Sequence, residues 1–143
     1  MITEKTIHIS KVIIDDMIDH LRSELPNEGC GYLSGKNEEV ITLHTMTNVD
    51  KSPEHFTFDP KEQFAVVKQA RANKEQLMAV YHSHPETPAR LSEEDLMLFN
   101  DPNMVYIIVS FKENEPDIKG YSVNKPNKDE IEVKRITLEI KEK

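Results

Sequence analysis

Residues 77–81 are continuously apolar and lead directly into a polar stretch, His82-Ser83-His84-Pro85. A short apolar run without alternation is typical of a strand that is covered on both faces, as in the centre of an α/β sheet. Residues 104–111 form a second run of this kind. Strands buried on both faces need helices on either side, so the two runs predict a mixed α/β domain with helices packed around a central sheet.

Three helices are predicted around that sheet. Apolar residues at helical spacing indicate an amphipathic helix over about residues 11–25, ended by Pro26. Asp59-Pro60 followed by Glu62 predicts a helix start, with an aspartate N-cap and proline at the first position. We expect this second helix to bury its apolar residues, which are Phe64, Val67 and Ala70. A short third helix is predicted from Ser92 through Phe99.

Four further strands are predicted in two antiparallel pairs. Residues 30–34 and 40–43 flank the turn sequence Gly35-Lys36-Asn37, and residues 120–123 and 131–140 close the sheet across Pro126-Asn127. In the last strand, Ile131 and Val133 have the opposite parity to Ile136, Leu138 and Ile140. A continuous strand would turn these two sets to opposite faces, so we expect a bulge near Lys134-Arg135.

Size and charge limit the classes of function. The chain has 143 residues, which is typical of one domain covering residues 1–143. Eighteen basic against 26 acidic residues leave a net charge of -8, which disfavours nucleic acid as a partner. A single cysteine excludes an intrachain disulfide and fits a reducing compartment. No signal-peptide pattern or membrane-length apolar segment is present, so we expect a soluble cytoplasmic protein without a membrane partner.

The end of the strand over residues 77–81 carries the candidate chemistry. Residues two apart on a strand point the same way, so His82 and His84 should project together. Two imidazoles so placed are suitable ligands for Zn²⁺, and Asp95 in the first turn of the following helix can supply an oxygen ligand. Three protein ligands leave one tetrahedral position open, which is the arrangement of a catalytic site.

Simpler interpretations exist for each of these residues. A His-x-His pair alone is a weak metal signal, and Ser92-x-x-Asp95 is also a good capping box. Cys30 can serve as a soft zinc ligand, but a single cysteine among apolar residues is more often a small core residue. The remaining histidines lack ligand spacing and are expected on the surface or in loops; they are His8, His20, His44 and His55.

Taken together, His82-x-His84-Pro85, six residues, Ser92, two residues and Asp95 resemble the full signature of the JAMM (MPN+) metallopeptidases. The segment from Pro26 to Leu33, with Glu28 before Cys30-Gly31, is similar to the upstream glutamate segment of the small stand-alone prokaryotic members. The resemblance covers about residues 5–125. It implies a three-layer α/β/α, cytidine-deaminase-like (JAB1/MPN) fold with a mixed central sheet.

The resemblance also implies a role for each residue of the motif. His82, His84 and Asp95 would hold one Zn²⁺ per chain, and Glu28 would act as the general base on the water that zinc activates. Ser92 would hydrogen-bond the water or the oxyanion of the tetrahedral intermediate. Ser83, on the opposite face of the strand, is expected to be structural.

The implied reaction is hydrolysis of a peptide or isopeptide bond after the Gly-Gly tail of a ubiquitin-like or sulfur-carrier protein. Residues 45–58 and 86–90 are the expected walls of the groove for such a tail. Nucleoside deamination needs His-x-Glu and Pro-Cys-x-x-Cys, which a chain with one cysteine does not contain. Two alternatives within the fold are a non-catalytic MPN binding or scaffold module and the related domain of DNA-repair-associated proteins.

Overall fold

The computed structural model describes residues 5–142, which form seven strands and three helices. In chain order they are β1 (Thr6–Ser10), α1 (Lys11–Glu24), β2 (Cys30–Lys36), β3 (Glu39–Met46), α2 (Pro60–Ala72), β4 (Gln76–His84), α3 (Glu93–Leu98), β5 (Val105–Ser110), β6 (Asp117–Asn127) and β7 (Glu130–Lys141). None of the helices within residues 5–142 is long and apolar enough to cross a membrane.

The strands form one mixed sheet in the order β1-β3-β2-β4-β5-β6-β7. At its centre β4 pairs with β2 in the antiparallel and with β5 in the parallel direction, so both of its edges are occupied. The outer strands β1 and β7 pair in parallel over five residues and thereby close the sheet into a barrel. The mixed sheet was predicted from the sequence, whereas its closure through β1 was not.

Helices cover both faces of the central strand, as predicted. Ala79 and Tyr81 of β4 pack in the larger apolar cluster, together with the buried residues of α1. Val80, one position away, packs in a second cluster with Val66 of α2. Alternate side chains of β4 therefore point to different layers, because the side-chain period of a strand is two. Helix α1 lies in one layer and α2 in the other.

The start of α2 follows the predicted cap, but its buried face differs from the prediction. The Asp59 side chain accepts a hydrogen bond from the Lys61 N–H at 2.9 Å, and Pro60 is the first helical residue. Val66 and Ala70 are buried, while Phe64 is 66% exposed. The prediction that Phe64 faces the core is wrong. The buried face of α2 is the stripe containing Val66 and Ala70, four residues apart, and Val67 is half-buried.

The predicted bulge near Lys134-Arg135 is also wrong. β7 pairs with β6 without a shift from Glu132 to Ile136, and the irregularity lies between Asn124 and Asn127 of β6. The change of parity needs no bulge, because Ile131 and Val133 are not buried in the core; their side chains are 49% and 43% exposed. A strand that is only partly covered can carry apolar residues on both faces without a register break.

Candidate active site

The two histidines lie at the carboxyl end of β4 on the face that carries Val80. Both side chains are buried, and their Nε2 atoms are 3.1 Å apart. The ring of His82 packs against two phenylalanines, with ring centroids 4.8 Å from Phe56 and 5.6 Å from Phe99. The strand thus presents both imidazole edges to the same point, as its period of two predicted.

Asp95 lies in the first turn of α3 and fulfils both interpretations of Ser92-x-x-Asp95. Its backbone N–H donates to the Ser92 hydroxyl at 3.0 Å, and its Oδ2 accepts from the Ser92 backbone N–H at 3.0 Å. The same Oδ2 lies 3.2 Å from Nε2 of His84 and 3.3 Å from Nε2 of His82. The capping box fixes the carboxylate at the position where it meets both histidines.

The electrostatics of this group favour a cation. Burial alone would raise the pKa of Asp95, but the hydrogen bonds from His82 and His84 hold that pKa well below its usual range. Burial lowers the pKa of His82, with partial opposition from Asp95, which favours its neutral form. One ligand atom from each of the three residues lies within 4.8 Å of the others. Two imidazoles and a carboxylate that converge in a buried place match the ligands of Zn²⁺.

A loop after β4 orients His84. Its Nδ1 donates to the Pro88 carbonyl oxygen at 2.9 Å, so Nε2 is the ring nitrogen that faces His82 and Asp95. The loop is anchored on both sides of Pro88. The Ser110 hydroxyl donates to the Thr87 carbonyl, and the Tyr121 hydroxyl donates to the Ala89 carbonyl at 2.6 Å. By contrast, the buried Nδ1 of His82 makes no hydrogen bond within residues 5–142.

Glu28 lies just before β2 and is only 5% exposed. Its Oε1 is buried without a hydrogen bond in the described part of the chain. Burial first, and then the negative charges of Asp95 and Glu94, raise its pKa to about 9. Glu28 lines a cavity of about 380 Å³ together with His84 and Ser92. The structure therefore brings together all five residues of the predicted site.

Residues from both predicted walls line this cavity. They are Pro53 and Glu54 from the connection between β3 and α2, and Glu86 and Thr87 from the loop after β4. Ser83 lies between the two histidines, and its hydroxyl accepts a hydrogen bond from the Gly29 N–H at 2.9 Å, which is a structural contact as predicted. This bond and the pairing of Cys30 with His82 hold the segment that carries Glu28 against β4.

The other candidate residues fall outside the site. Cys30 is fully buried in the apolar cluster of the α2 layer, and the His-His-Asp group does not include it. Burial raises the pKa of its thiol to about 12. His44 is buried, with its Nε2 2.7 Å from the Ser34 hydroxyl, so its prediction as a surface or loop residue is wrong.

Sequence reasoning missed three contributors to the site, which are Asn48, Phe56 and the Pro88 carbonyl. The first two lie in the irregular stretch between β3 and α2, where no periodicity identifies a buried side chain. A backbone carbonyl leaves no signal in a sequence. The aromatic pattern Phe56-Thr57-Phe58 was the one available indication that this stretch packs on the domain.

Fold and site together define a mixed-sheet α/β domain with a buried His-His-Asp group next to a buried glutamate. The family model described as "Prokaryotic homologs of the JAB domain" matches residues 10–123, and the chain belongs to this family. It is 30% identical to the CysO-cysteine peptidase of Mycobacterium tuberculosis over 114 residues, and this alignment covers 78% of each protein. It is 28% identical over 101 residues to the desampylase of Pyrococcus furiosus, with 71% of this chain and 70% of the relative covered.

Solved structures show the same fold. A protein from Desulfitobacterium hafniense superposes with a TM-score of 0.83 at 37% sequence identity, covering 96% of this chain and 94% of that one. A JAB1/MPN domain protein from Archaeoglobus fulgidus superposes with a TM-score of 0.61 at 23% identity, covering 94% and 97%. The chain has the JAB1/MPN fold, as the motif predicted.

Proposed function

We propose that the protein is a zinc-dependent peptidase or isopeptidase that cleaves an amide bond after the glycine-ended tail of a ubiquitin-like or sulfur-carrier protein. The observation that carries this proposal is the convergence of His82 Nε2, His84 Nε2 and Asp95 Oδ2 beside the cavity that contains Glu28. The relatives support the reaction class, since they include proteins named as a peptidase and as a desampylase.

The residues fit a zinc ion by their chemistry. His82, His84 and Asp95 would hold it, because one nitrogen or oxygen ligand atom from each residue lies within 4.8 Å of the others, and these are the ligand types of zinc. When bound, zinc supplies Lewis-acid activation of water and of the scissile carbonyl. The support of His84 by the Pro88 carbonyl is typical of a histidine that binds metal.

Glu28 would act as the general base. It lines the same cavity as His84, and its raised pKa makes it a strong proton acceptor once it is ionised. A bound dication offsets the negative charge of Asp95, which contributes to that raised pKa, and so favours the ionised form. Glu28 would take a proton from the attacking water and deliver it to the leaving amine nitrogen.

Ser92 would stabilise the oxyanion. Its hydroxyl oxygen already accepts the Asp95 N–H, so the hydroxyl proton is available to donate into the cavity that Ser92 lines. A hydroxyl donor aimed at the position where negative charge develops lowers the barrier; removal of one such donor costs roughly 2.7–4 kcal/mol. No protein nucleophile is needed, and the carbon–nitrogen bond breaks by hydrolysis.

The substrate class rests on the relatives and on the cavity walls. The names of two relatives give CysO-cysteine and a TtuB-protein conjugate as the material that they cleave. In this chain the cavity runs between Pro53-Glu54 and Glu86-Thr87. Both edges of β4 are occupied, so an extended tail would lie along these loops without pairing with β4. Glycines suit such a channel because a side chain beside the scissile carbonyl would crowd the metal site.

The test is cleavage of a ubiquitin-like sulfur carrier that is extended beyond its Gly-Gly, with a Gly-Gly→Ala-Val tail as control. Mass spectrometry should show release after the second glycine by zinc-loaded protein. Glu28→Gln should retain zinc and lose at least about 100-fold in kcat, because Gln does not accept a proton. Equal cleavage of both tails would show that the substrate class is wrong, and near-normal turnover by Glu28→Gln would show that Glu28 is not the base.

A further inference from the structure

We propose that Asn48 is a positioning residue that fixes Glu28 for its role as general base, an inference that rests on the proposed function. The buried Oε1 of the Glu28 side chain makes no hydrogen bond within residues 5–142. Glu28 also precedes the first paired residue of β2, Cys30, so no strand ladder holds its backbone. Its position therefore depends on what binds its own N–H and carbonyl, and on what binds the Gly29 N–H in the same peptide plane as that carbonyl.

Both of these backbone groups are bound by the segment over residues 47–58, here called the clamp loop. The Glu28 N–H donates to the Ser52 carbonyl at 2.8 Å. The Glu28 carbonyl accepts from Nδ2 of Asn48 at 3.0 Å. Only the second bond comes from a side chain, and it is the one that a substitution can remove.

Asn48 also holds the clamp loop in shape. It is 4% exposed and uses all four of its hydrogen-bonding positions. Its second Nδ2 proton goes to the His55 carbonyl at 3.0 Å. Its Oδ1 accepts from the backbone N–H groups of Asp50 and Thr57, each at 3.1 Å. One buried amide thus joins the two sides of the loop to the backbone of Glu28.

The clamp loop contacts the site at further points. Phe56 packs its ring on His82, and Pro53 and Glu54 form one wall of the cavity. On the other side of Glu28, Gly29 is fixed independently by Ser83, through the Gly29 N–H to Ser83 hydroxyl bond and the Ser83 N–H to Gly29 carbonyl bond. The Gly29 N–H shares a peptide plane with the Glu28 carbonyl, so loss of Asn48 should loosen the N-terminal side of Glu28, where its N–H meets the Ser52 carbonyl, while Gly29 stays in place.

The first experiment measures amide hydrogen exchange by NMR in zinc-free protein. Asn48→Asp keeps the acceptor positions of Oδ1 and removes both donors, so it breaks the bond to the Glu28 carbonyl together with the bond to the His55 carbonyl inside the clamp loop. We expect the Glu28 amide to exchange at least about 10-fold faster than in the unmodified protein, and the Gly29 amide to be unchanged. Thr57→Val is the matched control, because it removes a loop-internal bond to Asp50 that does not reach Glu28.

The second experiment asks whether Asn48 acts through Glu28. On the extended sulfur-carrier substrate, Asn48→Asp should lower kcat by roughly 10-fold to 100-fold without loss of zinc. In the Glu28→Gln background the same change should have less than about a 2-fold effect, since the group that it positions is already gone. A residue needed only for folding would cost the same in both backgrounds.

Two results would overturn the proposal. One is an unchanged exchange rate at Glu28 in Asn48→Asp, and the other is an equal loss of kcat in both backgrounds. If the zinc-loaded protein cleaves neither tail, the proposed function fails, and the exchange data alone decide whether Asn48 fixes Glu28. If Asn48→Asp speeds exchange at Glu28 and Gly29 alike, its role is general to the fold and the proposal is wrong.

Discussion

Replacement of Glu28 by Gln should stabilise the metal-free protein at neutral pH. Glu28 is buried, and burial together with Asp95 and Glu94 raises its pKa from 4.5 to about 9. In this pH window the unfolded chain loses the proton while the folded chain retains it. The contribution of Glu28 to stability is therefore complete below about pH 4.5 and declines as the pH rises towards 9.

The size of the effect follows from the width of that window. Each pH unit within it changes the free energy of unfolding by about 1.4 kcal/mol for one proton. Between about pH 5.5 and about pH 8, Glu28 should thus lower the free energy of unfolding of the metal-free protein by up to about 3 kcal/mol. Gln has almost the same volume and no charge at any pH, so the variant should lack this loss.

The assay is urea unfolding of chelator-treated protein at those two pH values. The quantity of interest is the change in free energy of unfolding between them, compared for unmodified protein and Glu28→Gln. Titrating groups distant from Glu28 act equally in both proteins and cancel in this comparison. Glu54→Gln is the matched control, because Glu54 lines the same cavity but is exposed, and it should show no difference. Equal pH dependence of Glu28→Gln and unmodified protein would refute the burial argument.

Zinc provides a second arm of the same experiment. A cation held by His82, His84 and Asp95 offsets the charge of Asp95 and lowers the pKa of a nearby carboxyl group. The difference between unmodified protein and Glu28→Gln should then shrink when both are saturated with zinc. A difference that stays as large would mean that Glu28 does not sense the ion, which contradicts its role beside the metal.

Three further changes test the site and the core. His84→Ala should reduce zinc from about one per chain to near zero by elemental analysis, and undiminished zinc would refute the ligand set. Tyr121→Phe removes the hydrogen bond to the Ala89 carbonyl, next to the Pro88 carbonyl that binds His84, so zinc affinity should fall by roughly 10-fold in a competition titration. Unchanged affinity would show that this loop does not support metal binding. Val66→Ala should lower the free energy of unfolding in urea by about 2 kcal/mol, and Phe64→Ala should lower it by less than about 0.5 kcal/mol. The reverse order would show that the buried face of α2 is not the one that carries Val66.

The parts of the fold that the sequence predicted depend on local patterns. The central position of β4 followed from its unbroken apolar run, and the start of α2 followed from Asp59-Pro60. The closure of the sheet did not, because β1 has only five residues and pairs with β7 from the other end of the chain. Pairing across the whole chain depends on tertiary packing that no local window contains.

The site, too, contains residues that local patterns predict and residues that they do not. His82, His84 and Asp95 were recognisable because their spacing follows from a strand period and a helix start. Asn48 was not recognisable, since four bonds to distant or irregular backbone define its role. His44 illustrates the reverse error: it was assigned to the surface or a loop because it lacks ligand spacing, yet it is buried and hydrogen-bonded to Ser34.

The register of β4 links the stability of the core to the geometry of the site. Tyr81 fills the apolar cluster against α1, while His82 and His84 point to the other layer, so core and site residues alternate along one strand. A slip of β4 by one residue would bury the histidines in the α1 layer and expose Tyr81 to the cavity. Occupied edges on both sides, with Cys30 opposite His82 and Ser110 opposite His84, oppose such a slip. The apolar residues that specify β4 therefore also fix the direction of both imidazoles before any metal binds.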